Sequence, residues 1–418
     1  MTLDIDPNSL IHPRSYGAAG QPHEAWTQLR AQAPVWLCEP DNYPSFYAIT
    51  RHADITDISG RPEVFSNSDG IAFLSLRQLE ERKTGPSPLA QMRTIIEMDP
   101  PEHRDFRKVA SGFFTPRSIG RLDAVVNECA RQHVDKLGEE GECDFVELIA
   151  ERHPLRVLAT ILGIGPDDED LLLRLTQQLL ASDDPDLQRK AENREQALAE
   201  LGADLLKLFN RVLEDRRARP RDDLATIIAH AQMADGTPMP MLETLGYYLI
   251  VFTAGHDTTR NAISGGMAAF LEHPDQLARL GAAPELARPA VEEIVRWSSP
   301  VNYMKRRLRE DVEMRGVRMR EGEDLVMFYA SANRDETVFE RPFEFDISRH
   351  PNRHIGFGSG EHFCLGAHVA RLSTRALFRE LATRIEWIEP AGEAALTESN
   401  LVVGHKALPI RYKLRPAA

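Results

Sequence analysis

The sequence is poor in cysteine and has no long apolar run. Its 418 residues include only Cys38, Cys129, Cys143 and Cys364, too few for a disulfide scaffold in a chain of this length. It contains no CxxC pair and no Cys/His cluster of zinc type. No run of about 18 apolar residues occurs, so no membrane span is expected, and the start lacks the pattern of a secretion signal. We expect a cytoplasmic protein whose thiols are free unless something ligates them.

Basic residues are outnumbered by acidic residues. The chain has 50 Lys and Arg against 64 Asp and Glu, a formal net charge of −14, which argues against non-specific nucleic-acid binding. With 42% hydrophobic and 27% charged residues, the composition is that of a globular protein. At about 150 residues per domain, a chain of this length is expected to form about three domains. No linker, repeat or shift in composition divides the chain, which favours one large domain over residues 1–418.

Helical periodicity fills the middle of the chain, and strand-like pieces lie near its ends. The longest predicted helices are 122–137, 171–180, 191–217, 242–271 and 285–297. Strands are predicted at 45–50, 324–329 and 409–414. Segment 247–252 alone resembles a strand, but about 30 residues of continuous periodicity favour a helix there. The fold class predicted is mainly α with small β-sheets.

One cysteine has an unusual setting. Cys364 precedes a predicted helix that starts at 367, and the stretch around it holds three glycines: Phe357-Gly358-Ser359-Gly360-Glu361-His362-Phe363-Cys364-Leu365-Gly366. Glycines at this density let a flat group approach the backbone, and a helix N-terminus lowers the pKa of a nearby thiol. Such a thiolate is suited to be the axial ligand of a heme iron. For the other three cysteines simple packing is the interpretation.

This stretch resembles the heme-binding loop of the cytochrome P-450 family, FGxGxHxCxG, at every specified position. The resemblance covers about residues 14–414 and is to soluble bacterial members, whose fold is a single helical triangular prism with small sheets. It implies heme b with Cys364 as the iron ligand, Phe357 and Gly358 as cofactor-binding residues beside the thiolate, and His362 bonded to a propionate. Many bacterial members continue with Ala-Arg-x-Glu, whereas this chain has Ser373 at the acidic position.

A second group of residues lies in the predicted helix 242–271. The string is Ala254-Gly255-His256-Asp257-Thr258-Thr259. A threonine hydroxyl within a helix can bond the carbonyl four residues back, which for Thr258 is that of Ala254. The string resembles the family's acid–alcohol pair, which implies proton delivery by Asp257 and Thr258, with Ala254 beside the heme. A polar face against another helix is the structural alternative, and His256 is given no role.

Cations for the two heme propionates are predicted at two places. The residues at 99–102, Asp-Pro-Pro-Glu, indicate an N-cap and capping box. The helix that they start puts His103 and Arg107 four apart on one face. The resemblance favours propionate contacts for both over a solvated face. It also implies a propionate contact for Arg306, although its neighbours Lys305 and Arg307 can take that place.

The string 293–296 matches the family's ExxR pair. Glu293 and Arg296 are three apart on a predicted helix and can form a hydrogen-bonded ion pair. We interpret the pair as structural. The arginine of the family's third partner, a Pro-x-Arg-Phe string, is absent here, and Arg349 is predicted to substitute for it.

The resemblance also implies a hydrophobic substrate and external electron donors. Asn302 or Tyr303 can donate one orienting hydrogen bond, and the other candidate lining residues are Ile71, Ala72, Phe73, Leu74, Ile250, Ala254, Val301, Met304, Leu401, Val402 and Val403. The chain shows no flavin or iron–sulfur motif, so ferredoxin and ferredoxin reductase are the expected donors. An acidic ferredoxin is predicted to dock on Arg353, Arg371 and Arg375, for which a solvated face is the alternative.

The leading interpretation is a heme-thiolate monooxygenase that uses dioxygen to hydroxylate a terpenoid- or steroid-like molecule. A peroxide-driven peroxygenase is one alternative, but members of that type lack the acid–alcohol pair. A non-catalytic heme-binding or gas-sensing protein is another, although no output domain is visible.

Overall fold

The computed structural model describes residues 3–84, 92–180, 184–187, 189 and 194–416, and most of its elements are helices. The α-helices of this part of the chain are α1 Pro13–Ala19, α2 His23–Gln32, α3 His52–Ser59, α4 Leu76–Thr84, α5 Glu102–Ser111, α6 Pro116–Ile119, α7 Asp123–Asp135, α8 Arg152–Leu162, α9 Glu169–Leu180, α10 Arg194–Ala218, α11 Leu224–Ala229, α12 Met241–Glu272, α13 Pro274–Ala282, α14 Ala287–Ser298, α15 Tyr329–Ala332 and α16 Ala367–Arg384. Shorter helical turns are Pro7–Leu10, Ile95–Glu97, Gly120–Leu122, Val146–Ala150, Pro166–Asp168, Pro284–Leu286 and Gly360–His362.

The strands are short and lie mainly toward the two ends of the chain. They are β1 Val35–Cys38, β2 Phe46–Ile49, β3 Phe65–Ser66, β4 Glu140–Asp144, β5 Tyr303–Leu308, β6 Val312–Met314, β7 Val317–Met319, β8 Asp324–Phe328, β9 Ile385–Pro390, β10 Ala395–Leu396, β11 His405–Ala407 and β12 Pro409–Leu414. Within the described residues they form a five-stranded sheet β1–β2–β8–β5–β3, a three-stranded sheet β4–β12–β9, and the pairs β6–β7 and β10–β11. Strand β2 runs parallel to β8, and the other named pairs are antiparallel.

The five-stranded sheet is buried on both faces. Successive residues of a strand point to opposite faces, and here Tyr47 and Met327 join one hydrophobic cluster whereas Phe46 and Val326 join another. All four residues of β2 are buried. A third, larger cluster packs the helices together.

The predicted elements agree with the structure, with small differences at their ends. Helices α7, α9, α12 and α14 and strands β2 and β12 confirm the periodicity argument. Strand β8 ends at Phe328, and α15 begins at the next residue, Tyr329. Residues 191–193 of the predicted helix 191–217 lie outside the described residues. Segment 247–252 is helical, because it belongs to the 32-residue α12. Of the helices described, none has the length and apolar character needed to cross a bilayer.

The predicted capping box at 99–102 is wrong. The Asp99 carboxylate accepts hydrogen bonds from the Ser66 hydroxyl (2.5 Å) and the Asn67 N–H (2.8 Å) instead of capping α5. Glu102 pairs with Arg93 at 2.6 Å. The helix still begins at Glu102, so these side chains tie its start to neighbouring segments rather than to itself.

Candidate active site

The loop before α16 is held in a tight turn that ends at Cys364. The Cys364 N–H donates to the Phe357 carbonyl oxygen over 2.8 Å, and α16 begins three residues later at Ala367. Gly358 and Gly360 have φ values of +72° and +68°, which glycine adopts at no steric cost. A Cβ on Gly360 would also collide with the Ser59 carbonyl. The loop therefore needs glycine at these two positions.

The Cys364 thiol is accessible and yet desolvated. Its side chain is exposed to a water-sized molecule, but the protein around it raises the pKa of the thiol through desolvation. The Gly366 backbone N–H, Arg107 and Arg371 act in the opposite direction. The predicted lowering by a backbone N–H is present, but desolvation outweighs it, so the net shift of the thiol pKa is upward and not downward as predicted.

Two histidines with unpaired ring nitrogens face each other beside this loop. The rings of His103 on α5 and His362 have centroids 4.1 Å apart. Both ring nitrogens of His103 and the Nε2 of His362 are buried without a hydrogen-bond partner, and the Glu361 carboxylate lies 3.9 Å from His103 Nδ1, beyond hydrogen-bond distance. Burial lowers the pKa of His103 and lowers that of His362 to about 3, so both are neutral near pH 7. Buried groups of this kind are normally hydrogen-bonded, so these nitrogens are available to a ligand.

Arg107 and Arg306 bring positive charge to the same place. The Arg107 guanidinium donates to the Phe363 carbonyl oxygen over 2.5 Å, one residue before Cys364. Arg306 is 4% exposed and donates to the Lys305 carbonyl oxygen over 2.7 Å. Burial lowers the pKa of Arg306, and both Arg306 and Arg107 lower the pKa of His362. The two arginines and the two histidines thus act on one region.

The neighbours of Arg306 are occupied elsewhere. Lys305 Nζ lies 3.6 Å from Asp324, and Arg307 forms a two-point pair with the same carboxylate at 2.8 and 2.9 Å. Within the described ranges no carboxylate lies within 4.0 Å of the Arg306 guanidinium. Of the three cations, Arg306 is the one left for an acidic ligand.

This donor set fits heme. A thiol suits the iron, while the unpaired nitrogens of His103 and His362 and the cations of Arg107 and Arg306 suit two carboxylates. Among the described residues, Gly366 has no atom within 4 Å of where its Cβ would be. A side chain at this position, two residues after Cys364, would extend into that open space.

The Asp257–Thr258 pair lies on α12 in a buried polar network. Thr258 Oγ1 donates to the Ala254 carbonyl oxygen over 2.7 Å, which confirms the predicted bond. Asp257 is 5% exposed and accepts from Arg260 at 3.0 Å and from Asn261 at 3.4 Å.

The contacts of Asp257 with Arg260 and Asn261 were not predicted from the sequence. The three-residue spacing between Asp257 and Arg260 on one helix is the sequence signal that could have predicted the first of them. Arg260 also lies 3.2 Å from Glu151, at the start of another helix, and nothing local in the sequence indicates that contact. One guanidinium is therefore shared between Asp257 and Glu151.

His256 is a structural residue. Its Nε2 donates to the Glu151 carbonyl oxygen over 2.9 Å, and its Nδ1 lies 3.0 Å from the Thr176 hydroxyl. Burial lowers its pKa from 6.5 to about 4, so His256 is neutral at pH 7.

This burial predicts an acid-sensitive contribution to stability. The unfolded chain binds the His256 proton more tightly than the folded chain, so stability is complete above pH 6.5 and falls toward pH 4. Between these values the wild type should lose on the order of 3 kcal/mol more than His256→Gln in urea unfolding. His230→Gln, which removes an exposed histidine, should keep the wild-type pH dependence, and parallel curves for wild type and His256→Gln would refute the assignment.

The ExxR pair is fully buried. Glu293 and Arg296 are both 0% exposed, and two parallel bonds of 2.7 Å join them. Arg349 donates to the same carboxylate at 3.1 Å, which confirms that it substitutes for the missing arginine. Arg296 also donates to the carbonyl oxygens of Asn333 and Pro342, so the pair ties α14 to two loops.

The predicted basic patch is only partly basic. Arg371 forms a two-point pair with Glu292 at 2.7 and 2.9 Å, and its guanidinium lies 4.2 Å from the Phe357 ring. Its charge is neutralised, so its inclusion in the patch is wrong. Arg353 is exposed, whereas Arg375 lies 3.5 Å from the exposed Asp123, a contact that screens little charge.

The predicted role of Asn302 or Tyr303 in orienting a substrate is wrong. Both are 0% exposed. Asn302 Nδ2 donates to the Tyr16 hydroxyl and the Asn400 carbonyl oxygen, at 3.0 and 2.8 Å. The Tyr303 hydroxyl accepts from the Phe73 N–H at 3.1 Å and donates to the Asn400 side-chain oxygen at 3.3 Å. These side chains, and Phe73 itself, belong to the protein interior.

Three buried side chains also bring metal-ligating atoms together. Ligand atoms of Cys129, His133 and His153 lie within 4.8 Å of one another. His133 Nδ1 donates to the Cys129 carbonyl oxygen over 2.8 Å, and His153 Nε2 lies 3.1 Å from the Ser373 carbonyl oxygen. The sequence showed no Cys/His cluster because His153 comes from a different helix.

Comparisons with known proteins agree with this geometry. The family model described as Cytochrome P450 matches residues 285–414. Cytochrome P450-terp of a Pseudomonas species is 36% identical over 414 residues, 97% of this chain and 96% of that protein. Linalool 8-monooxygenase of Pseudomonas putida is 33% identical over 390 residues, 93% and 95% of the two chains. The crystal structure of CYP108D1 from Novosphingobium aromaticivorans matches with a TM-score of 0.88 and 34% identity over 98% of each chain.

Proposed function

Because this chain belongs to the cytochrome P450 family and is a monooxygenase, an oxidoreductase, we propose that it binds heme b through Cys364 and hydroxylates a hydrophobic small molecule with dioxygen. The observation that carries the proposal is the set of unpaired buried nitrogens beside the Cys364 loop. We also propose that residues 1–418 form one domain, since one hydrophobic cluster joins residues from Met92 to Leu414 and two others join Val35 and Phe46 to residues beyond 300.

Each residue around the loop has a distinct part in holding the cofactor. The Cys364 sulfur would ligate the iron, with Phe357 and Gly358 beside the thiolate, and Ala254 would contact the cofactor from α12. His103, Arg107, His362 and Arg306 would bond the propionates. Heme held by a thiolate supplies the oxidising chemistry, the activation of dioxygen and the insertion of one oxygen atom into a C–H bond.

The contribution of Arg306 is testable. Arg306→Gln removes one charge-assisted bond to a propionate, worth about 1.5–3 kcal/mol, so heme should pass to a scavenger protein roughly 10- to 100-fold faster. Arg307→Gln is the matched control, since its guanidinium is already paired with Asp324. Equal transfer rates for the two variants would assign the propionate contact elsewhere.

Thr258 and Asp257 on α12 would handle the protons that the reaction consumes. The Thr258 hydroxyl donates its own proton to the Ala254 carbonyl oxygen, so its lone pairs can accept from a water that serves as proton donor. Asp257 is buried and shares Arg260 with Glu151. Because Glu151 competes for the Arg260 guanidinium, Asp257 can release Arg260 and bind a water molecule instead. Through that water Asp257 can resupply the proton that is donated at Thr258.

Removal of the Thr258 hydroxyl should divert electrons from the hydroxylated product to hydrogen peroxide. In Thr258→Ala, heme should be retained while product per electron falls by about tenfold or more and hydrogen peroxide takes the difference. Thr259→Ala is the control, because that hydroxyl makes the same type of bond, to the Gly255 carbonyl oxygen. Unchanged coupling of electrons to product in Thr258→Ala would remove its role in proton delivery.

A terpenoid- or steroid-like compound is the substrate class that we propose. The expected lining residues Ile71, Leu74, Ile250 and Leu401 are apolar and half-buried, and one relative is named for its action on linalool, a terpenoid. This class is tested by a screen that compares terpenoids and steroids with polar and charged compounds. The signal is the change in heme spin state that follows displacement of water. Responses only from polar or charged compounds would contradict it.

The electrons are proposed to come from ferredoxin and ferredoxin reductase. Arg353 is exposed, and the contact of Arg375 with the exposed Asp123 screens little charge, so both arginines keep their charge in the predicted patch. We propose that an acidic ferredoxin approaches there. The test is salt dependence, because the rate of electron transfer to wild type should fall steeply with ionic strength, and should fall less steeply for Arg353→Gln.

A further inference from the structure

A cavity of about 360 Å³ lies away from the residues expected to hold heme. Its walls come from the link between α1 and α2, the C-terminal half of α12, the end of α14, and β10 and β11. On α12 it touches Asn261, Gly265 and Ala268 rather than Ala254 and Thr258. The volume is at the lower end of the range for small-molecule sites, roughly 300–1,000 Å³.

Unpaired polar atoms are concentrated around this cavity. Four residues on its walls carry a buried side-chain atom without a hydrogen-bond partner: His23 (Nδ1), Arg334 (Nε), Thr397 (Oγ1) and His405 (Nδ1). Buried polar groups in folded proteins are nearly always paired. Their collection at one cavity indicates a ligand that carries hydrogen-bonding groups.

The charge of Arg334 indicates the sign of that ligand. Arg334 is 3% exposed. Its terminal nitrogens donate to the carbonyl oxygens of Arg296 and Trp297, at 3.1 and 3.0 Å, and its guanidinium lies 4.1 Å from the centre of the Trp297 ring. Among the described residues no carboxylate lies within 4.0 Å of it, and the two arginines of the ExxR network occupy Glu293. A buried cation without a carboxylate favours an anion.

The other groups at the cavity limit the ligand to one negative charge and an apolar body. Glu272 is an exposed acid on the wall, which disfavours a dianion. Burial lowers the pKa of His23 to about 3 and that of His405 to about 4, so both are neutral near pH 7. Tyr16, Trp297 and Phe343 supply aromatic surface.

We propose that this cavity binds a small organic monocarboxylate with an apolar or aromatic body, its carboxylate bonded to Arg334 and Thr397. The site is separate from the proposed heme site, so its occupancy does not depend on the proposed reaction. Asn261, which donates to Asp257, is the point at which a bound molecule would contact the proton-handling residues.

Calorimetric titration of the heme-bound protein with 3-phenylpropanoate and its neutral counterpart 3-phenylpropan-1-ol tests the proposal. We expect the carboxylate to bind about tenfold more tightly than the alcohol, because it gains a charge-assisted bond.

Three variants locate the binding site. Ala268→Leu, which fills the cavity, should weaken binding of the carboxylate by about tenfold or more. Ala231→Leu, at a half-buried position outside the cavity, should leave the affinity unchanged. Thr397→Val, which removes only the hydroxyl, should weaken the carboxylate by about fivefold.

Three results would overturn the proposal. They are an absence of carboxylate binding to the wild type, equal affinities for carboxylate and alcohol, and carboxylate binding that Ala268→Leu does not change. In the last case a shift in the heme spectrum would show that the probe occupies the substrate pocket instead.

Discussion

Replacement of Cys364 by alanine is expected to abolish monooxygenation and the thiolate-type absorption spectrum of the reduced carbon monoxide complex. The reason is that the proposed iron ligand is a single sulfur atom in a loop built around it, and the neighbouring side chains offer no second thiol. The chain should still fold, because the Cys364 side chain is exposed rather than packed in the core. Absorption spectra of purified wild type and variant measure this directly.

A matched control separates loss of the ligand from general damage. Cys143→Ala removes a half-buried thiol on β4 and should leave the spectrum and the activity as in the wild type. A thiolate-type spectrum that persists in Cys364→Ala would contradict the assignment of the iron ligand. Loss of that spectrum in Cys143→Ala would contradict it as well.

Glu293→Gln is expected to produce the largest loss of stability. The carboxylate receives bonds from Arg296, Arg349, the Asp346 N–H (2.9 Å) and Asn352 (3.1 Å). Without its charge, Arg296 becomes an uncompensated cation at 0% exposure. Removal of one member of such a pair costs about 3–5 kcal/mol. Urea unfolding of the heme-bound protein measures the loss.

The chain offers an exposed pair with the same spacing as a control. Glu128 and Arg131 are also three apart on a helix and 2.6 Å from each other, but their side chains are 47% and 46% exposed. Glu128→Gln should therefore have no measurable effect on stability. Similar losses for Glu293→Gln and Glu128→Gln would show that burial does not strengthen the ExxR pair.

The features that the sequence predicted correctly depend on short spacing or on a long motif. The bond from Thr258 to the Ala254 carbonyl follows from the four-residue repeat of a helix. The Glu293–Arg296 pair follows from the three-residue spacing. The P450 fold, implied by the ten-residue stretch that ends at Gly366, is confirmed by the similarity over nearly the whole chain.

The features that the sequence did not predict depend on contacts between distant segments. Desolvation of Cys364 is a property of the assembled walls around it, so helix position alone predicted the wrong direction for its pKa. Glu292 neutralises Arg371 from another helix. The interior position of Tyr303 depends on the pleat of β5 and on the loop that holds Asn400. In each case the group depends on residues that are far from it in the sequence, so its neighbours along the chain do not predict its environment.

Turnover under isotopically labelled dioxygen, with ferredoxin, ferredoxin reductase and a compound selected by the spin-state screen, shows whether this chain is a dioxygen-dependent monooxygenase. We expect a product that carries one labelled oxygen atom, with the second labelled atom in water, and no product when the electron donors are omitted. Product formed only with added peroxide, or unlabelled product, would contradict a dioxygen-dependent monooxygenase.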